Sequence, residues 1–139
     1  MNRVEKAVKL HNQGYNCAQS VFCAFIDKTN MDINTALKLT QPLGTGIARL
    51  KEVCGAFNGM TLMLGLCMGT ANIEDKETKK KLLDKVTELA EEFRVNNGSL
   101  VCKELLELNK NVNSNIRKKP CIEYVRQCAE LLEKELCLQ

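Results

Sequence analysis

Cysteine is the residue type in this chain best suited to chemistry, because eight of its 139 residues are cysteines. Four of them fall in the predicted first turn of four separate helices: Cys17, Cys54, Cys102 and Cys121. A helix N-terminus presents free backbone N–H groups and a partial positive charge, and both lower the pKa of a thiol. The thiolate is the nucleophile and the metal ligand, so we expect these four to be more reactive than the cysteines in helix interiors or near helix C-termini, Cys23, Cys67, Cys128 and Cys137.

Sequence signals beside these cysteines mark the helix starts. Asn16 is a good N-cap, and Gln19 three residues later completes a capping-box pattern. Ser99 is the predicted cap of a short helix that runs to about Leu108, and Pro120 suits the first position of the last helix. The four cysteines therefore belong to elements from distant parts of the chain, and folding must bring them together.

The hydrophobic pattern predicts helices and no strand over the whole chain. The predicted helices cover residues 2–13, from 16, 33–40, 54–67, 75–95, 99–108 and from 120. No repeat or linker interrupts the pattern, and the polar residues 109–119 predict an exposed loop. We therefore predict an all-α fold in which residues 1–139 form a single helical domain, a bundle of about five to six helices.

The predicted central helix combines a long uncharged stretch with glycine. Residues 53–73 carry no charge, and the segment from Met60 to Met68 is predicted to be buried at the centre of the bundle. Gly55 and Gly59 lie four residues apart, on one face of this helix. Without side chains they allow a cofactor or another backbone to approach Cys54 closely, so both are candidate cofactor-binding residues. Tight helix packing alone is the alternative that the sequence leaves open.

The four first-turn cysteines are also predicted to share one site. Each lies on the apolar stripe of its helix, so each side chain is expected to point inward. Each also lies at one end of its helix, and one end of a bundle can gather all four. We therefore predict that Cys17, Cys54, Cys102 and Cys121 converge on one pocket beside Gly55 and Gly59.

These segments resemble the C-GCAxxG-C-C family of redox-active proteins. The matching stretches are GYNCAQ at 14–19, CGAFNG at 54–59 followed by Gly65-Leu66, GSLVC at 98–102, and Cys121 followed by Val125. The resemblance covers nearly the whole chain and implies a redox function carried by Cys17, Cys54, Cys102 and Cys121. The loop before Cys54 departs from the pattern, because Arg49, Leu50 and Lys51 stand where more glycine is expected.

Three functions are compatible with this cysteine pattern. The first is thiol–disulfide or electron-transfer chemistry, as in a thiol-dependent oxidoreductase, with Cys54 as nucleophile because Arg49 and Lys51 add positive charge. A second cysteine would resolve the mixed disulfide, and the redox partner is not identified. The second function is a metal or iron–sulfur site held by the four thiolates of Cys17, Cys54, Cys102 and Cys121. The third is a non-enzymatic helical interaction protein with structural cysteines.

Composition argues against several other classes of protein. The net charge is only +3, from 20 basic and 17 acidic residues, and aromatics are 4%, which predicts no nucleic-acid binding. Asn58 and Thr61 interrupt the uncharged stretch, so stable membrane insertion is not expected. The charged N-terminal residues do not form a secretory signal, which predicts a cytoplasmic location. The single histidine, His11, is expected to pack on an apolar face, and a homodimer is left open.

Overall fold

The structure is a computed structural model and describes residues 1–109 and 120–137. Within these residues the chain forms seven α-helices and no β-strand: α1 (Arg3–Asn12), α2 (Cys17–Ala24), α3 (Ile33–Thr40), α4 (Gly55–Met68), α5 (Lys76–Asn97), α6 (Cys102–Leu108) and α7 (Pro120–Cys137). Short 3₁₀ turns, Ile26–Lys28 and Gln41–Leu43, precede and follow α3. The predicted all-α fold is confirmed, with seven helices in place of five to six. The predicted loop at 109–119 lies, beyond its first residue, outside the described residues.

The core is built around α2. Seven of its eight residues are buried, because α1, α3, α4 and α7 all pack against it. Helix α7 also contacts α1 and α4, while α5 packs on α4. The large buried side chains of this core include Phe22, Met60, Phe93, Val125 and Leu132. This packing holds the N-terminal ends of α2, α4 and α7 in fixed relation to one another.

The capping signals place most helix starts correctly. Asn16 accepts a hydrogen bond from the Gln19 N–H (2.8 Å), and the Asn16 N–H donates to Oε1 of Gln19 (3.0 Å), which confirms the predicted capping box. The prediction for Ser99 is wrong, because α6 begins three residues later, at Cys102. Ser99 instead accepts a hydrogen bond from the Val101 N–H and donates one to Glu104, so it stabilises the turn ahead of the helix.

Helix α4 is only partly buried. Met60, Met63 and Leu64 are fully buried. Leu62 is 37% exposed and Leu66 is 50% exposed, so the prediction that the whole segment from Met60 to Met68 is buried is wrong. The packed helices α2, α5 and α7 cover one side of α4 and leave these two leucines on the uncovered side. None of the helices in the described ranges has the length and apolarity needed to cross a bilayer.

A short antiparallel bridge ties α6 to the segment that leads into α4. Val53 pairs with Val101, the Cys54 N–H donates to the carbonyl of Leu100 (2.9 Å), and the Cys102 N–H donates to the carbonyl of Glu52. The alternation of side chains along such a pair puts Cys54 and Cys102 on the face opposite the two valines. The bridge thus joins the N-termini of α4 and α6.

The loop between α3 and α4 contains a left-handed turn. Residues 45–49 all have φ between +50° and +70°, and only Gly46 among them is glycine. L-residues in this region cost about 1–2 kcal/mol each. Backbone hydrogen bonds hold the turn, among them Ala48 N–H to the Pro42 carbonyl (2.7 Å) and Lys51 N–H to the Thr45 carbonyl (3.1 Å). The packed ends of this loop therefore impose a conformation that its residues do not prefer.

Candidate functional site

Four cysteines line one cavity of about 380 Å³ at the joined helix N-termini. They are the first residue of α2, the N-cap of α4, the first residue of α6 and the second residue of α7: Cys17, Cys54, Cys102 and Cys121. Cys17 and Cys121 are partly exposed, whereas Cys54 and Cys102 are buried. The described residues that line the cavity with them include His11, Asn16, Thr45, Leu105, Leu106 and Tyr124, which sequence reasoning did not assign to a site.

The two candidate glycines have different surroundings. Gly55 lines the cavity, and a Cβ added there would lie 3.3 Å from Cβ of Cys17 and 3.2 Å from the carbonyl oxygen of Leu43. Gly59 instead packs on α2, because a Cβ at this position would lie 2.6 Å from the carbonyl oxygen of Ala18. Gly59 is not among the residues lining the cavity, and helix packing accounts for it without a cofactor.

The thiols of Cys17 and Cys121 shift each other's pKa in opposite directions. Hydrogen bonding from the Cys17 thiol is the largest cause that lowers the pKa of Cys121 to about 7, against the opposing effect of burial. The backbone N–H of Cys121 itself also favours the thiolate. The same hydrogen bond, together with burial and the charge of Cys121, raises the pKa of Cys17. Of the two thiols, Cys121 is therefore the one that ionises more readily.

The other two cavity thiols remain neutral. Burial raises the pKa of Cys54 to about 11, although the backbone N–H groups of Phe57 and Ala56 favour its thiolate. Burial also raises the pKa of Cys102, and Lys51 acts in the opposite direction there. The expectation that Cys54 is the activated nucleophile is therefore not supported. Its place at the helix start is as predicted, but desolvation outweighs the favourable backbone groups.

The other described cysteine side chains, those of Cys23, Cys67 and Cys128, do not line the cavity. Burial raises the pKa of Cys23, Cys67 and Cys128, most strongly for the fully buried Cys128. Among the described thiols, Cys121 alone has a lowered pKa. The sequence predicted that all four first-turn cysteines would be more thiolate-like than the others. Among the described thiols, the pKa shifts set only Cys121 apart in this way. The side chain of Cys137 lies outside the part of the chain that the structure describes.

The cavity does not present a formed metal site. In the part of the chain that the structure describes, no three His, Cys, Asp or Glu side chains converge closely enough to hold a metal ion. A four-thiolate site requires all sulfurs about 2.3 Å from a zinc ion. The four cysteines as arranged do not fit such a centre, and the metal or iron–sulfur alternative stays a prediction.

His11 and Thr45 lie at the edge of the same cavity. His11 is half-buried, and its Nδ1 lies 3.1 Å from the carbonyl oxygen of Tyr15. A carbonyl can only accept, so this contact assigns the proton of the neutral imidazole to Nδ1. Thr45 is the first residue of the left-handed turn. The strained loop therefore contributes directly to the cavity wall.

The fold and the site together define an all-α protein in which four cysteines, from four separate helix N-termini, line one cavity. The model of the family described as "Putative redox-active protein (C_GCAxxG_C_C)" matches residues 15–135, and the chain belongs to this family. No curated protein and no solved structure matches the chain.

Proposed function

We propose that this protein is a dithiol redox protein in which Cys121 and Cys17 are oxidised reversibly to a disulfide. The observation that carries the proposal is that Cys17 and Cys121, from opposite ends of the chain, are the two partly exposed thiols in the wall of one cavity. The two thiols also interact, because Cys17 lowers the pKa of Cys121 and Cys121 raises the pKa of Cys17. Membership of a redox-active family supports the same class of chemistry.

The roles of the two cysteines follow from their proton. Cys121 has the lowered pKa and is the attacking thiolate, because the nucleophile in exchange reactions is the ionised form. Cys17 holds the proton in the resting state and is the resolving thiol. Attack of Cys121 on an oxidant disulfide breaks its S–S bond, releases one thiol and gives a mixed disulfide. Attack of Cys17 on the Cys121 sulfur then closes the internal bond and releases the second thiol. Two electrons leave the dithiol in this cycle.

The two buried thiols have a supporting role in this proposal. Cys54 and Cys102 are protonated at neutral pH because burial raises both pKa values. As neutral groups they leave Cys121 as the one negative charge among the cavity thiols. A purely structural role for all the cysteines, as in a helical interaction protein, offers no reason for four thiols to line one open cavity.

The test is a redox titration read at single residues. The protein is equilibrated with mixtures of reduced and oxidised glutathione, free thiols are alkylated, and disulfides are located by peptide mass mapping. We expect a disulfide between Cys17 and Cys121 that forms and is reduced reversibly. Cys17→Ser and Cys121→Ser should each abolish it, whereas Cys67→Ser, a partly buried cysteine outside the cavity, should not. Absence of this disulfide at every ratio, or a different pairing, would refute the proposal.

A further inference from the structure

The resolving step of the proposed reaction needs a group that accepts a proton. Cys17 must attack as a thiolate, but Cys121 and burial both raise its pKa. Once Cys121 has entered the mixed disulfide, burial still opposes the ionisation of Cys17. A base in the wall of the cavity would therefore speed this step by taking the proton from the Cys17 thiol.

Among the described residues that line the cavity, His11 has the side chain that takes up and releases a proton most readily near neutral pH. Burial raises the pKa of Cys54, Cys102 and Tyr124, so these three groups keep their protons at neutral pH. Two further polar residues of the wall do not ionise in this range: Asn16 and Thr45. The chemistry of the lining thus singles out the imidazole as the proton acceptor.

The turn after α1 fixes the orientation of the His11 ring. Gly14, with φ +109°, reverses the chain, and the Tyr15 N–H donates to the carbonyl of Leu10 (3.2 Å). The carbonyl oxygen of Tyr15 thereby lies 3.1 Å from Nδ1 of His11. Because this oxygen can only accept, the neutral ring carries its proton on Nδ1, and Nε2 is the nitrogen that takes up a second proton.

The same turn connects the His11 ring to the resolving thiol. Tyr15 stands two residues before Cys17, the first residue of α2, and His11 and Cys17 both line the cavity of about 380 Å³. A cavity of this size has room for a water that relays a proton, so the transfer does not require contact between the two side chains. His11 also lies in the last turn of α1, where the helix dipole favours the positive charge of an imidazolium.

We propose that His11 is the general base of the resolving step, which accepts the proton of Cys17 and returns it to the departing thiolate. This inference rests on the proposed function and deepens it. Nε2 takes the Cys17 proton, and the Cys17 sulfur attacks the Cys121 sulfur of the mixed disulfide. The S–S bond to the second RS group breaks, RS⁻ leaves with the electron pair, and the imidazolium protonates it to RSH. His11 ends neutral, and the dithiol has supplied two electrons to the oxidant disulfide.

The test separates the two steps of the reaction in time. Reduced protein is mixed with an excess of oxidised glutathione at pH 7, samples are quenched with acid, and peptide mass spectrometry quantifies two products: the glutathione mixed disulfide of Cys121 and the Cys17–Cys121 disulfide. His11→Asn keeps an N–H for the Tyr15 carbonyl but has no basic nitrogen. We expect closure of the internal disulfide to be at least about tenfold slower in this variant, with accumulation of the mixed disulfide, while formation of the mixed disulfide is unchanged.

Two further variants distinguish proton transfer from a structural effect. Lys9→Asn removes a positive charge from the same last turn of α1, but Lys9 is not among the described residues that line the cavity. This variant should close the disulfide at the wild-type rate. His11→Ala leaves space for added imidazole, which should restore closure several-fold in this variant and have little effect on the wild type. Circular dichroism establishes folding, and His11→Ala with its rescue decides the question if His11→Asn does not fold.

The outcomes separate this inference from the proposed function. If the wild type forms no disulfide between Cys17 and Cys121, the proposed function fails and the role of His11 fails with it. If the disulfide forms and a folded His11→Asn closes it at the wild-type rate, the dithiol chemistry stands and only the base is wrong. Equal slowing of both steps, the same slowing in Lys9→Asn, or no rescue of His11→Ala by imidazole would also overturn the inference, because each indicates a structural effect.

Discussion

Removing the thiol of Cys17 should change how the reactivity of Cys121 depends on pH. The hydrogen bond from Cys17 is the largest cause that lowers the pKa of Cys121 from an ordinary value of 9.0 to about 7. In Cys17→Ala this donor is absent and burial remains, so the Cys121 pKa should return to about 9 or above. Two pKa units correspond to about 2.7 kcal/mol of lost thiolate stabilisation.

The size of the effect on rate follows from two opposing factors. At pH 7 the thiolate fraction of Cys121 falls from about one half to about 1% in Cys17→Ala. The intrinsic nucleophilicity of a thiolate rises with its pKa with a Brønsted coefficient of about 0.4–0.5, which returns about six- to tenfold. Alkylation of Cys121 should therefore be about five- to eightfold slower than in the wild type at pH 7. At pH 10, where both thiolates are largely formed, it should be several-fold faster.

The assay is iodoacetamide alkylation over a range of pH, with each cysteine quantified by peptide mass spectrometry. Cys17→Ser is the matched control, because its hydroxyl can still donate a hydrogen bond and should keep much of the lowered pKa of Cys121. Crossing pH profiles for Cys17→Ala and the wild type would support the reasoning. Profiles of Cys121 that coincide in the two proteins would refute it, since the pKa would then owe nothing to Cys17.

Three further predictions concern stability. Gly59→Ala should lower the free energy of unfolding in urea by about 1–3 kcal/mol, because the added Cβ would lie 2.6 Å from a backbone carbonyl oxygen of α2. The control Gly65→Ala has open space around the added Cβ and should raise it by about 0.5–1 kcal/mol. An unchanged stability of Gly59→Ala would contradict the packing role of Gly59. Ala48→Gly should raise the free energy of unfolding by about 1 kcal/mol, because Ala48 has φ +50°. The control Ala71→Gly lies in an exposed loop without positive φ and should not raise it. Equal effects of the two substitutions would show that the turn is not strained at Ala48. The free energy of unfolding should fall above about pH 9, because thiols such as Cys128 have a higher pKa in the folded than in the unfolded state, and the unfolded state then binds fewer protons. Cys128→Ala should make this pH dependence shallower by about 1.4 kcal/mol per pH unit. An unchanged slope would show that Cys128 does not contribute to it.

The start of α2 could be predicted because it depends on a few consecutive residues. In the Asn16–Gln19 capping box, each side chain bonds to a backbone N–H three residues away. The placement of Cys17 at the start of α2 follows from that local signal. Ser99 shows the limit, because its hydroxyl forms the same kind of local bond in a turn that precedes the helix.

The identity of the ionised thiol could not be predicted from the neighbours in sequence. Cys54 has Arg49 and Lys51 close before it, but Lys51 favours ionisation of Cys102, which the Val53–Val101 bridge brings near. Burial, which dominates at Cys54, depends on helices from both halves of the chain. The partner that lowers the Cys121 pKa, Cys17, comes from the opposite end of the chain.

The left-handed turn is the least predictable part of the site. Thr45 and Ile47 are β-branched, and such residues rarely adopt positive φ. The turn persists because both of its ends are fixed, by the bridge on one side and by the hydrogen bond from Asn16 to Gln41 on the other. Sequence patterns describe local preference, and here tertiary contacts override it.

The coupling between Cys17 and Cys121 also orders the two steps of the proposed reaction. The pKa of Cys17 is raised first by its hydrogen bond to the Cys121 sulfur and further by burial and the negative charge of that thiolate. When Cys121 enters a mixed disulfide, both the acceptor thiolate and its charge disappear. The pKa of Cys17 should then fall, although burial still raises it. In the proposed reaction, Cys17 therefore ionises more readily after the first exchange, when there is a disulfide for it to attack.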